Sequence, residues 1–417
     1  MLSVQEALDR ILRHVPPGAT ERVPLSQALG RVLAETVVSA IDLPTWDNSA
    51  MDGFAVRAAD LPGRLRVLET VAAGAVPRFH VEKGTATRIM TGAPVPAGAD
   101  AVMMVEDSEG EGEEVSFRHA PREGQHIRRK GSDLRAGTAV LQPGTVLGAG
   151  ALGLAAAVGV PSLRVVVRPR VGILSTGDEV VETGYPLEPG QIWSSNSRSL
   201  AALVEQAGAI PVDLGIVRDD PEELKAAFRE GLRCDILLST GGVSVGDFDY
   251  VKEVLEELGV VMDFWKVWMK PGKPLAFGSI GSRPIFGLPG NPVSCMVNFL
   301  QFARPMIRKM LGDPRPFLPV LRARLEAPIK RRPDRPELLR VSLRHDGEQL
   351  WARAVGGHQG SGNLAAMAEA RGFVLADAEE TLLDDRVWVQ VFDTSFLCAA
   401  EPFYPWSPDV PAHDHRC

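Results

Sequence analysis

Only four cysteines occur in the 417 residues, Cys234, Cys295, Cys398 and Cys417, and no two form a Cys-x-x-Cys pair. That scarcity argues against a disulfide framework and favours a reducing compartment. Cys234 and Cys295 lie in apolar segments, where a thiol behaves as a small hydrophobe. Positive charge is also short: 45 Lys and Arg face 53 Asp and Glu, a formal net charge of -8. Nucleic-acid affinity comes largely from basic residues that neutralise phosphates, so a general polyanion binder is excluded and any anionic ligand must meet a local basic pocket. Long apolar runs are missing too. The uncharged stretch 136–163 is broken by Pro143, Pro161 and repeated glycines into strand, turn and short helix rather than a membrane span. At the start, MLSVQEALDRILRHV sets Leu8, Ile11, Leu12 and Val15 at helical spacing among charges, unlike the apolar core of an export signal. The expectation is a soluble, cytoplasmic protein with no membrane or nucleic-acid partner.

What is present is ordinary globular composition, 45% apolar and 24% charged, in a chain longer than one hydrophobic core usually supports. Three zones and a tail are legible. Residues 1–167 mix one helix with short β-like runs such as ATRIM and AVMMVE, which suggests an N-terminal region with an inserted β-rich module at about 50–140. From 168 to 312 the rhythm changes. RVGILS, VDLGIV, CDILLS and PIFGLP read as buried strands, separated by the helical patterns SRSLAALVEQAG, PEELKAAFREG and DYVKEVLEELG and followed by PVSCMVNFLQFARPMIRKML. Strands alternating with helices predict a doubly wound parallel α/β domain, whose ligands sit beyond the carboxyl ends of the strands. From 316 to 396 the runs PVLRARL, LLRVSLR, LWARAV and VWVQVF predict a small antiparallel, barrel-like β domain. The Pro- and aromatic-rich tail 397–417 has no place in this scheme.

The loops beyond the four α/β strands carry the chemistry. TGDEV, RDD, TGGVSVGDFD and PGNPVS fall on one rim, and two begin alike, ILSTG at 173–177 and LLSTG at 237–241. Gly177, Gly241 and Gly242 let backbone N–H groups approach a ligand, and the following helix starts favour an anion, so the pattern suits a phosphate. Asp178, Glu179, Asp219, Asp220, Asp247 and Asp249 would repel that phosphate unless a cation lies between, and hard carboxylate donors suit magnesium. Asp219 and Asp220 before Pro221 also fit a plain helix cap. In FWKVWMKPGKPLAFG, Lys266, Lys270 and Lys273 cluster beside Pro271 and Pro274, the makings of an oxyanion pocket. Ser294 in PGNPVS, at a helix start, suits a small tetrahedral anion.

Taken in order, PTWDNSAMDGFAVR, RIMTGAPVPAGADAVMMVED, STGDEV, STGGVSVGDFDY, KPGKP and LPGNPVS resemble the signatures of the MoeA-type molybdopterin molybdenumtransferases, the family that includes the E domain of gephyrin. The match runs from the N-terminal helix to about Phe392. The resemblance implies the last step of molybdenum cofactor synthesis: molybdate enters the dithiolene of adenylylated molybdopterin, and AMP leaves with Mg2+ as the metal. It implies that Gly241, Gly242 and Ser244 cradle the nucleotide phosphate or pterin side. Asp249, Asp219 and Glu179 match acids used for the metal and for adenylate cleavage. Lys270, Lys273 and Ser294 would hold molybdate in a pocket shaped by Pro289 and Pro292, with Arg340 and Ser361 reaching it from the last domain. In the first half, Asp52, Thr91 and Asp133 match functional positions on an elongated arm, and a homodimer would bring parts of one subunit to the other's rim, making composite sites. Other proteins of molybdenum cofactor synthesis are the expected partners. Arg371 in AEARG departs from the asparagine that relatives tend to carry.

Two competing readings differ in class or step. Adenylyl transfer to molybdopterin would call for a TGGTG-type loop, whereas this chain has TGGVSVGD with added acids and long flanking domains. A silent scaffold need not keep rim acids and lysines, and all are kept here.

Overall fold

Alternation of side chains along short strands builds the first unit, Glu21–Val165. The computed structural model describes residues 1–16, 18–110, 112–241, 250–332, 334–357 and 359–398. In this unit a six-stranded sheet runs in the order Ala101–Met104, Gly53–Val56, Thr85–Ile89, Gly63–Val71, Glu114–Phe117, Ser108–Glu109. Phe54, Val56, Ala101 and Met103 enter one core and Ala55, Val102, Val71 and Ile89 another, as a period of two requires when both faces are covered. The uncharged stretch forms a strand at Ala139–Leu141, a helix at Ala149–Ala157 and a strand at Ser162–Val166. No described helix is long and apolar enough to cross a membrane.

The second unit joins Met1–Thr20 to the chain from Val166 onward. Its helices are α1 Val4–Arg13, α2 Ser195–Gln206, α3 Pro221–Gly231, α4 Tyr250–Glu257, α5 Pro292–Asn298, α6 Arg304–Met310 and α7 Leu364–Glu369. Its main strands are β1 Arg170–Thr176, β2 Ile210–Val217, β3 Ile236–Thr240, β4 Val261–Lys266, β5 Pro274–Ile280 and β6 Arg283–Leu288, then β7 Val320–Leu325, β8 Glu337–His345, β9 Leu350–Ala354, β10 Gly372–Ala376 and β11 Arg386–Val391. A capping box starts α1: Glu6 N–H donates to Ser3 Oγ, and the Ser3 backbone N–H donates back to the Glu6 carboxylate at 2.8 Å.

The central sheet runs β2-β1-β3-β6-β5-β4. The four strands read from the sequence are parallel neighbours, in two instances through the registers Gly172↔Leu237 and Leu238↔Phe286. Leu174, Leu224, Phe228, Leu237, Val251 and Ile285 form a core on the face where α3 and α4 pack together. β5 and β4 extend the sheet in antiparallel sense. Sequence reading took that segment as an oxyanion pocket and assigned it no strands, because prolines and lysines mask its strand pattern. Between α5 and α6 the helix widens into a π turn at Phe299–Ala303, just ahead of Pro305, whose missing N–H breaks regular helix bonding.

The last strands close into a barrel, β7-β9-β8-β10-β11. Its interior is filled by Ala323, Leu339, Val341, Ala352, Val374 and Val389. The expected antiparallel pairing holds for all neighbours but one: β7 and β9 are parallel, joined through Arg324↔Trp351. Arg371 has a local task. Its Nη1 donates to the carbonyls of Ala368, Glu369 and Ala370 at 2.9 to 3.1 Å, capping the end of α7.

Candidate functional site

The strand ends β1, β3 and β6 meet under a cleft of about 450 Å³ bordered by Glu179, Trp193, Asn196, Gly241, Pro289 and Pro292. Gly241 has φ +92°, and a Cβ there would lie 2.5 Å from the Thr176 carbonyl oxygen, so only glycine fits. Its N–H donates to Leu288 O at 3.2 Å, while Gly177 N–H donates to Val217 O at 3.3 Å, and these bonds tie the loops to neighbouring strands. The floor is hydroxylic: Thr176 Oγ1 donates to Thr240 O at 3.3 Å, and the Ser194 hydroxyl bonds those of Ser197 and Ser175 at 2.8 and 3.4 Å. Asn196 Nδ2 donates to Gly290 O at 2.8 Å, and its Oδ1 is buried without a partner. Gly242, Ser244, Asp247 and Asp249 lie outside the described residues.

The neighbouring acids divide into two roles. Asp220 is the N-cap of α3: its carboxylate accepts from the N–H groups of Glu222 and Glu223, with Pro221 at the first turn. Asp219 instead belongs to a trio. Its N–H donates to Asp178 Oδ1 at 3.2 Å. Its carboxyl is pushed above the usual range first by burial, then by the charges of Asp178 and Glu179. Among the described residues no three acids, histidines or cysteines converge as a ready-made metal cage.

Beside the cleft a second region is built from the KPGKP turn, the start of α5 and the barrel. Asn298 Nδ2 donates to Gly272 O and Pro274 O at 3.2 and 3.3 Å, clamping the turn. Lys270 N–H donates to Pro336 O at 2.9 Å and Lys270 O accepts from Leu338 N–H at 2.8 Å, which fastens the turn to β8. The Lys270 ammonium is 2.8 Å from Glu337 Oε1, and Glu337 also pairs with Arg331 at 3.1 Å. Lys273 is half-buried and has no ion-pair partner among the described residues, whereas Lys266 is exposed at the end of β4, opposite Pro274. Arg340 is only 1% exposed, far from a surface arginine. Its Nε and backbone N–H donate to Gln359 Oε1 at 3.1 and 2.9 Å and its Nη1 to Asn363 O at 3.1 Å, yet Nη2 is buried without a partner. Burial lowers its pKa, and the charge of Glu337 opposes that. Ser361 O accepts from Val293 N–H at 3.1 Å, so the 359–363 loop rests on the start of α5, where Ser294 is buried.

In the other unit, Asp52 Oδ1 accepts from Thr91 N–H at 2.6 Å and from Thr91 Oγ1 at 2.7 Å. Those bonds hold the Asp52 carboxyl below its usual pKa. Asp133 has other partners: its Oδ1 accepts from Ser132 Oγ at 3.2 Å and its backbone N–H donates to Leu43 O at 3.0 Å.

The chain matches the MoeA N-terminal region (domain I and II) over residues 2–159, a probable molybdopterin binding domain over 172–309 and the MoeA C-terminal region (domain IV) over 322–385. A molybdopterin molybdenumtransferase of Nostoc sp. is 40% identical over 400 residues, 92% of each chain. The chain belongs to the MoeA molybdopterin molybdenumtransferases. Molybdopterin molybdenumtransferase 2 of Mycobacterium tuberculosis is 42% identical over 81% of this chain and 88% of its own. The crystal structure of the molybdopterin biosynthesis MoeA protein of Pyrococcus horikoshii superposes with a TM-score of 0.80 at 31% identity, covering 94% of this chain and all of that one.

Membership makes the protein a transferase of molybdenum cofactor synthesis. Within this MoeA fold, sequence reasoning passed over Asn196, Asn298, Glu337 and Gln359, which position the loops. Asn196 could have been found from the Ser-Ser-Asn-Ser run at the start of α2. For Asn298, inside a helix, and Gln359, in a loop, nothing local marks a clamp.

Proposed function

We propose that this transferase inserts molybdate into the dithiolene of adenylylated molybdopterin, with magnesium-dependent release of AMP. The observation that carries the reading is the buried Arg340 guanidinium with a spare Nη2 donor. A buried, incompletely paired cation is costly unless an anion completes it. Molybdate, a tetrahedral dianion, can do so through charge-assisted bonds, with Lys273, Lys270, Ser294 and Ser361 on the adjoining loops and Lys266 at the edge. The cleft over Gly177 and Gly241, with Gly242 and Ser244, takes the phosphate and pterin side, and Pro289 and Pro292 shape the passage between the two regions.

The acids fit a divalent cation by their chemistry. Asp219, raised first by burial and then by the charges of Asp178 and Glu179, is a carboxylate donor whose repulsion a hard cation would relieve. Glu179 and Asp219, with Asp249, would hold Mg2+, which when bound neutralises phosphate charge as the adenylate bond is cleaved. The Gly177 and Gly241 N–H groups are bonded to Val217 O and Leu288 O, so the protein would orient the phosphates at the start of α2 and hold molybdate by fixed cations. We further propose a cytoplasmic homodimer in which Asp52, Thr91 and Asp133 serve a composite site, with functional divisions at 1–167, 168–312 and 316–396. Its product would pass to other proteins of molybdenum cofactor synthesis.

Calorimetric titration tests the reading. Arg340→Lys and Lys273→Ala should each bind molybdate about ten- to a hundredfold more weakly, because each loses a charge-assisted contact, while AMP binding stays near wild type. Unchanged molybdate affinity in both variants would place the oxyanion elsewhere.

A further inference from the structure

Trp193 borders the glycine cleft and is 49% exposed. Its indole Nε1 donates to Tyr185 O at 2.8 Å, so the polar edge is satisfied and the ring is oriented while much of its surface stays in water. The backbone is held as well: Ile192 and Trp193 pair in parallel with Val180 and Val181, and Ser194 N–H donates to Val181 O at 2.9 Å. Among the described residues along the cleft, Trp193 alone is aromatic, set among hydroxyls, amides, glycines, prolines, the Glu179 carboxylate and the aliphatic Val180 and Ile192. An oriented indole left half open forgoes apolar burial that an occupant would restore. Immediately after it, Ser194 stands at the N-cap position of α2 with no side-chain cap bond, so a ligand whose phosphate meets the glycine loops and this helix start carries its attached ring toward the indole.

We infer that Trp193 is the stacking platform for a planar heteroaromatic ring, adenine or pterin, joined to the phosphate that the cleft takes. The inference rests on the phosphate reading of that cleft and adds the residue that selects for a ring. Every such ring has a π face, so stacking recognises the class without reading its edge.

Binding of AMP, of a pterin monophosphate and of ribose 5-phosphate, which has no aromatic ring, tests it by calorimetry. Trp193→Ala should weaken AMP, the pterin, or both about ten- to a hundredfold, with ribose 5-phosphate and molybdate unchanged. Trp193→Phe should keep most of the affinity. A loss confined to AMP assigns adenine to the platform, and a loss confined to the pterin assigns that ring. Because the side chain is half exposed, thermal melts should show both variants folded as wild type is. Equal affinity of Trp193→Ala and wild type for both ring compounds overturns the inference and leaves the phosphate cleft standing. An equal loss for ribose 5-phosphate also overturns it, since the effect would then not be stacking. If wild type binds none of the three, the phosphate reading and this inference fall together.

Discussion

At Gly241 the loop after β3 comes so close to β1 that an added Cβ would press on the Thr176 carbonyl, and φ is positive there as well. Gly241→Ala should therefore cost about 1 to 3 kcal/mol in urea denaturation, the range for a non-glycine residue forced into such a conformation. Nucleotide binding should fall with it, because the loop must move away from the cleft. A variant as stable as wild type would show that the loop has room to relax. The thiol of Cys295, within α5, makes the opposite point. It is fully buried and burial pushes its pKa upward, so it acts as packing rather than as a nucleophile.

At the scale of elements, the start of α3 separates stability from chemistry in adjacent residues. Asp220→Ala removes the N-cap and should cost about 0.5 to 2 kcal/mol while AMP release stays near wild type. Asp219→Asn should do the reverse. Asp219 has a raised folded pKa, so its ionisation is disfavoured in the native state and opposes folding above that pKa. Neutralising it should make the protein more stable at pH 7, a gain that vanishes as pH falls below the ordinary aspartate value of 3.8. On the proposed function AMP release should drop about a hundredfold or more, as for loss of one positioned charge. Urea melts at pH 7 and pH 3, with AMP release assayed alongside, check both variants; full activity in Asp219→Asn would take it out of the site.

At the scale of the whole molecule, the barrel and the α/β domain share one unit. The turn carrying Lys270 is bonded to β8, and Ser361 is bonded to α5. The proposed oxyanion region is therefore assembled from segments as far apart as Lys270 and Ser361, and no one of them holds it alone. The homodimer proposal makes a prediction of its own. Asp52→Ala and Asp249→Ala chains, each inactive, should recover part of the wild-type rate when mixed as heterodimers, because one composite site stays intact. Confirmed heterodimers with no recovered AMP release would put both residues in the site of a single subunit.

What the sequence alone determined is what short stretches of chain encode. Four parallel strands followed from apolar runs of strand length spaced by amphipathic helices, and the rim followed from glycine and acid motifs at the strand ends, since both depend on near neighbours. The antiparallel pair β4 and β5 was hidden because its partners are chosen by the sheet edge rather than by its own lysines and prolines. Only the tertiary structure separated Asp219 from Asp220: both precede the same proline, and one turns to the helix while the other turns to Asp178. Only it set Lys270 against Glu337 and buried Arg340 with a donor to spare. Burial and charge pairing are properties of surfaces that meet on folding, so a residue's local sequence does not contain them.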